Sequence, residues 1–363
     1  MQIRSAASNR TFLNSKSGPH RILCHASSVH ATNINNGLQT SPIINGCWQL
    51  AGGHGREVFE DITLKLAAHA EAGLTTFDTA DIYGPSEGIL GEFQARWHDS
   101  GKTPLQIITK YVPNVFQATP SPSTVDAAVR KSMKNLQMES LDLVQLHWWD
   151  YSIPGMVDVA LALADLREKG LVKNVGLTNM DVPAVSKIVD AGVTVSSNQV
   201  QFSLLDRRPL NGMVQFCKEH DIKILAYGSV GGGLLSDKYA EEAKKSWFGS
   251  NKYSSVDLNT SSLKMYWNVV KEFGGQELWR ELLQVLQGIA MKHSVTTANV
   301  AVRWIIQQGP VLPIIGLRNT SHIIDNKAVL AFQLDNSDLL AIQEVLSRSS
   351  GPAGDIYSFE RRR

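Results

Sequence analysis

An apolar run through Thr76 and Phe77 ends in Asp78, and Tyr83 follows in the same stretch. A carboxylate closing a buried segment is costly unless a cation faces it. Further along, Lys110, His147, Thr178 with Asn179, Gln199 and Tyr227 each stand in or at the end of an apolar run. Singly, each has an ordinary explanation: a lysine snorkels, and a histidine is satisfied within a core. Gathered around one pocket, they are a set of side chains able to move a proton. A tyrosine, with a reference pKa of about 10, is a poor acid or base near neutrality unless its phenolate is helped. A nearby ammonium gives that help, Asp78 would compensate and orient the lysine, and His147 can hydrogen-bond a reacting oxygen and share in the relay.

These residues can cooperate only if the elements carrying them converge. Strands are expected over residues 43–50, 75–79, 105–110, 141–148, 172–178, 197–202, 222–227 and 311–315. Amphipathic helical segments fall at 59–72, 87–97, 123–136, 157–169, 184–191, 210–220 and 321–332. Such alternation without a linker break predicts an α/β chain folded as a single closed (β/α)8 TIM barrel over residues 36–352. In a barrel the strand ends meet on one face, so the polar residues at those ends surround one pocket. Gly52, Gly53 and Gly55 after the first strand lack the spacing of a dinucleotide-binding glycine loop, which argues against an open-sheet reading. Between the seventh and eighth strands lie residues 228–310, with helices expected at 276–291 and 297–308. The Gly-, Ser-, Asn- and Lys-rich part, 231–260, reads as a long loop after strand 7, placed to act as a substrate or cofactor lid. A helix expected over 338–346 closes the chain before its tail, and residues 353–363 read as a polar basic tail.

Composition narrows the function classes. Lys and Arg number 35 against 34 Asp and Glu, so overall charge favours neither nucleic acid nor a membrane surface as partner. No run approaches the about 18 apolar residues of a membrane helix. Cys24, Cys47 and Cys217 have neither metal spacing nor an even count, so reduced thiols and no metal site are expected. Nothing in the sequence sets an oligomeric state. Residues 1–35 contain Arg4, Arg10, Lys16 and Arg21, many serines and no acid; the first is Glu57. That composition reads as an organelle-targeting peptide, chloroplast ahead of mitochondrion, or as a disordered basic tail. Its removal would take four positive charges and change the net charge from +1 to −3.

The motifs together resemble the aldo-keto reductase superfamily. The resemblance is carried by Gly73, Thr76, Phe77, Asp78, Thr79, Ala80, Tyr83 and Gly84 with Glu87, and by the strand from Leu141 and Asp142 to Leu146 and His147. It continues through Val175 to Asn179, Asn198 to Leu205, Leu225 to Ser229, and Pro313 to Arg318 followed by Asp325 and Asn326. It spans residues 42–335 and implies a (β/α)8 fold, NADP extended across the barrel mouth, and reduction of aldehydes or ketones. By position, the resemblance makes Asp78, Tyr83, Lys110 and His147 the catalytic set. It gives Thr178, Asn179 and Gln199 to the nicotinamide amide, with Tyr227 stacked on the ring. Ser229, Gly231 and Leu234 would follow the pyrophosphate; Gly316, Arg318, His322, Asp325 and Asn326 would surround the adenosine phosphate, Arg318 suiting the 2′-phosphate. Thr178 stands where a serine is more usual, and His322 and Asp325 where Arg or Gln and Glu are more usual. NADPH would supply the hydride for a small-molecule carbonyl substrate. Trp48, Tyr111, Trp148 and Trp149, at or just past strand ends, are candidates to wall an apolar substrate pocket or to pack between barrel and helices. Two other readings use the same residues: a cofactor-holding regulatory or redox-sensing subunit with little turnover, and an alcohol or sugar dehydrogenase running in reverse.

Overall fold

The computed structural model describes residues 31–34, 37–51, 61–241, 256, 258–317 and 320–361. Two short strands, β1 (Thr32–Ile34) and β2 (Leu38–Thr40), form an antiparallel hairpin. Eight parallel strands follow: β3 (Ile44–Gly46), β4 (Thr76–Asp78), β5 (Gln106–Tyr111), β6 (Leu143–His147), β7 (Val175–Thr178), β8 (Val195–Gln201), β9 (Lys223–Tyr227) and β10 (Val311–Gly316). They pair in chain order and close where β10 meets β3. The fold is thus the (β/α)8 TIM barrel that the βα alternation implies.

Strand alternation sorts the side chains into lumen and outer shell. Ile44, Ile108, Leu143, Leu225 and Leu312 form an apolar cluster in the lumen, joined by Ile34 and Leu38 of the hairpin. The hairpin therefore plugs the N-terminal end of the barrel. Two residues further along the same strands come Lys110, Gln145 and Tyr227, so the lumen turns from apolar to polar toward the strand C-terminal ends. Residues of opposite parity, such as Ile107, Val144 and Leu146, join the larger core between barrel and helices. Helix starts are fixed locally: Ser121 accepts from the Thr124 amide and Asp181 from the Ala184 amide, each with proline in the first turn.

Several expected boundaries move. The division drawn after residue 35 falls inside the β1–β2 hairpin, whose Ile34 is buried. The first barrel strand stops at Gly46 because the chain turns into a 3-10 helix, Trp48–Ala51, as the Cys47 amide bonds the Asp78 carbonyl. Of the stretch expected as loop, Gly231–Gly233 forms a 3-10 turn, and a third helix, Ser261–Phe273, precedes the two expected ones. Residues 242–255, the middle of the expected lid, lie outside the described residues. Residues 353–361 are no detached tail: Arg208 hydrogen-bonds Glu360 and the Asp355 carbonyl, fastening the chain end to the barrel. Among the described residues no helix is long and apolar enough to cross a membrane.

Because Ile34 is 1% exposed and completes the lumen cluster, Ile34→Ala should lower stability by about 2–5 kcal/mol in urea unfolding. A loss below about 0.5 kcal/mol would mean that the hairpin does not close the barrel.

Candidate active site

Asp78 ends β4 and Lys110 stands in β5, its immediate neighbour in the barrel. The Lys110 ammonium donates to both Asp78 oxygens at 2.9 and 2.8 Å and to the Thr79 carbonyl at 2.7 Å. Both side chains are only 4% exposed. Gln199 Nε2 donates to Asp78 Oδ1 at 2.7 Å, and Gln145 Nε2 approaches it at 3.4 Å. The carboxylate is thus saturated with donors, as a buried ion pair requires. Burial opposes the charged form of Lys110, but Asp78 and the Tyr83 phenol outweigh it and hold the ammonium above its ordinary value.

Tyr83 lies on the turn that follows β4. The Asp81 amide bonds the Lys110 carbonyl at 3.1 Å, and Asp81 Oδ2 accepts from the Val112 amide at 3.1 Å, tying that turn to the end of β5. Glu87, in the helix Ser86–Asp99 behind the turn, accepts from Thr109 at 2.7 Å and Asn135 at 3.0 Å. So anchored, Tyr83 presents its ring with the centroid 5.0 Å from Lys110 Nζ. Burial raises the phenol pKa, while the ammonium pulls it down through its charge and a hydrogen bond.

His147 ends β6, paired in register with Thr178 of β7. Its ring centroid lies 4.5 Å from Trp149 and 5.4 Å from Tyr357. Burial, then the Lys110 charge, lowers its pKa to about 4, so the ring is neutral at pH 7. Its Nε2 and the Thr178 hydroxyl are buried without a hydrogen-bond partner among the described residues. Asn179 adopts a left-handed backbone (φ 56°). It is held from two sides: Tyr227 donates to its Oδ1 at 2.9 Å and Tyr151 to its carbonyl at 2.7 Å. The next turn needs glycine: Gly232 has φ +66°, and a Cβ there would meet the Tyr266 ring at 2.7 Å and Ser262 Oγ at 2.8 Å. A polar ligand with both hydrogen-bonding and apolar parts, such as a nicotinamide nucleotide, fits this combination of orphaned polar atoms, aromatic faces and close backbone.

Asp78, Tyr83, Lys110 and His147 come together, with Thr178, Asn179, Gln199 and Tyr227 around them. Gln199, expected on the nicotinamide, donates an amide N–H to Asp78. Ser229 donates to the Ala226 carbonyl, Gly231 opens the 3-10 turn, and Leu234 is core. Gly316 ends β10 beside Gly46, Arg318 lies outside the described residues, and His322 starts an exposed helix turn. Asp325, expected near the adenosine phosphate, has both oxygens engaged by Thr296 and Asn299, so it ties helices together; Asn326 is half-buried beside it. Of the four aromatic candidates, Trp48 is 38% exposed and Trp149 faces His147. Trp148 is fully buried and donates its indole N–H to the Ile153 carbonyl, and Tyr111 is core. Each directly follows a lumen-facing residue, Lys110 or His147, and alternation turns it outward. Gln145, Tyr151 and Tyr357 went unnoticed in the sequence; Gln145 alone had a signal, standing two positions before His147 on the same strand face.

The buried neutral imidazole has a consequence for pH. Its folded pKa lies below the unfolded value of about 6.5, so it contributes stability above that pH, lost as pH falls through about 4. An NMR titration of the His147 ring, assigned by its absence in His147→Gln, should give a midpoint near 4. A midpoint near the ordinary value would contradict this geometry.

A profile of the Aldo/keto reductase family matches residues 42–347. The chain is 30% identical over 331 residues to a protein named pyridoxal reductase, chloroplastic, from Arabidopsis thaliana, covering 86% of this chain and 85% of the relative. A glycerol dehydrogenase structure from Gluconobacter oxydans superposes with a TM-score of 0.73 at 21% identity, covering 91% of this chain and 98% of that one. An aldo-keto reductase from Klebsiella pneumoniae, solved in complex with NADPH, gives 0.65 at 19% identity over 88% of this chain and 96% of that one. At such identities the two structures speak to the fold alone. The family profile runs through every barrel strand, and on that ground the chain belongs to the aldo/keto reductase family and with it to the NADP-dependent oxidoreductases.

Proposed function

We propose that the chain reduces the carbonyl of a small aldehyde or ketone to an alcohol, with Tyr83 as proton donor. The observation that carries this reading is the buried run from Asp78 through Lys110 to Tyr83, with the open Nε2 of neutral His147 at the same pocket. Bound NADPH would supply the hydride. Thr178, Asn179 and Tyr227 would hold its nicotinamide end and the turn from Gly228 to Leu234 its pyrophosphate, with Arg318 as the guanidinium for its phosphate.

When the carbonyl carbon is reduced, negative charge develops on its oxygen. Tyr83 is protonated at neutral pH and gives its proton to that oxygen; Lys110 stabilises the phenolate left behind. Asp78 keeps Lys110 charged and aimed. His147, neutral and with no partner for Nε2, orients the substrate oxygen by a hydrogen bond if that nitrogen carries the ring proton. Trp48 and Trp149 offer apolar faces for the rest of an aromatic aldehyde. The name of the Arabidopsis relative makes pyridoxal one such aldehyde to try. That name also supports a plastid location for this chain, alongside the basic, acid-free N-terminal segment.

The test is NADPH consumption by the full chain with pyridoxal and a panel of aromatic and aliphatic aldehydes. Tyr83→Phe should lose about 10²–10⁴-fold in turnover while NADPH binding, read by fluorescence, is retained. The wild-type rate should hold across neutral pH and fall only above about 10, because the donor is lost as pH rises through its raised phenol pKa. An active Tyr83→Phe enzyme would overturn the assignment; NADPH binding without turnover on any carbonyl would favour a sensing subunit.

A further inference from the structure

The segment after the last long helix, Asn336–Leu346, is stapled to the barrel at two points by adjacent arginines. Arg207 donates to the Leu346 carbonyl at 3.2 Å and the Ser349 carbonyl at 3.1 Å. Arg208 bonds the chain end itself: its guanidinium reaches the two Glu360 oxygens at 2.7 and 3.0 Å and the Asp355 carbonyl at 3.2 Å. The other edge of the same guanidinium is held by Asp206 at 2.9, 3.2 and 2.6 Å. Asp206 is fully buried and Arg208 nearly so, while Glu360 arrives from the short C-terminal helix Ser358–Arg361.

Between these staples lies Tyr357, with a left-handed backbone (φ 68°) that a bulky residue avoids unless its surroundings impose it. Its ring meets His147 edge-on, with the planes at 76°. The charge of Glu360 also reaches the other side of the pocket, adding to the burial that raises the Tyr227 phenol. The chain end thus meets the site through Tyr357 while a buried charge cluster holds it down.

We infer that Asp206, Arg208 and Glu360 form a latch that seats the C-terminal segment on the barrel mouth, making Arg208 and Glu360 positioning residues for the carbonyl substrate through Tyr357. The latch is asymmetric. Asp206 lies on the barrel side, just past β8, and keeps Arg208 paired whether or not Glu360 is present. Loss of the Glu360 charge therefore loosens the end of the segment around Tyr357 without leaving a buried charge alone, whereas loss of Arg208 would strand Asp206. Among the described residues, the aromatic faces of Trp149 and Tyr357 and the ammonium of Lys110 act on the His147 ring. Of these only Tyr357 belongs to the segment, so its departure lets water reach the imidazole.

The experiment combines the His147 NMR titration with steady-state kinetics on an aromatic aldehyde, in full-length Glu360→Gln and Tyr357→Ala. The inference rests on the proposed reaction only for the kinetics; the titration needs no turnover, so failure of the reductase reading and failure of the latch are distinguishable. In both variants the His147 midpoint should move up from about 4 toward its ordinary value. KM should rise about tenfold, as when the closed form falls to roughly a tenth of the population, with kcat changed less than KM. Glu360→Asp should restore part of both effects. Tyr357→Ala leaves all three charges in place and tests the link from Tyr357 to His147 alone, so an unchanged titration and KM there overturn the proposal even if Glu360→Gln does not fold. A folded variant of either kind with unchanged titration and KM would overturn the latch.

Discussion

The ion pair between Lys110 and Asp78 is the constraint on which the rest of the site depends. Two charges with almost no solvent contact are tolerated only where each is surrounded by partners. The barrel supplies them from its own strands: the Thr79 carbonyl for the ammonium, and the Gln199 and Gln145 amides for the carboxylate. These partners come from β6 and β8 as well as the residues after β4, so the pair is satisfied only once strands β4 to β8 have come together. Folding and preorganisation of the site are therefore the same event. The ammonium cannot drift, and a phenol set beside it meets a fixed charge.

The lumen is graded along its axis. At the N-terminal end, Ile34 and Leu38 of the hairpin complete an apolar plug with Ile44, Ile108, Leu143, Leu225 and Leu312. One pleat further on, β5 and β6 change from Ile108 and Leu143 to Lys110 and Gln145, which remain paired in register. The dry plug gives the ion pair a low-dielectric floor, where its charges act strongly on neighbours. His147 shows the effect: burial and the same ammonium together keep its ring neutral, so the site carries no second cation there.

The barrel and the reactive cluster were legible in the sequence because both rest on short-range regularities. Alternating βα segments gave the architecture, and polar residues closing apolar runs marked Asp78, Lys110 and His147. What the sequence did not show were side-chain directions and distant contacts. Tyr111 and Trp148 have the right chemistry for a pocket, but strand parity turns each away from its neighbour in the lumen. Asp325 lies near the expected motif, yet Thr296 and Asn299, well upstream in the chain, occupy its carboxylate. The helix Ser261–Phe273 was hidden by the polar stretch before it, although Leu263, Tyr266, Val270 and Phe273 carry helical spacing. Nothing local announces that Glu360 meets Arg208, since that bond spans 152 residues and a basic chain end resembles a solvated tail.

The expectation from this geometry is that Lys110, held by Asp78, lowers the cost of ionising Tyr83. It is tested most directly by titrating the Tyr83 phenol in the wild type and in the double variant Asp78→Asn with Lys110→Met, using ¹³C-labelled tyrosine and Tyr83→Phe for assignment. Replacing both partners leaves no lone buried charge. The ammonium acts on the phenol more strongly than the carboxylate and adds a hydrogen bond, so its net loss should move the Tyr83 titration to higher pH. An unchanged or lowered phenol pKa in a folded double variant would show that the buried pair does not serve the tyrosine.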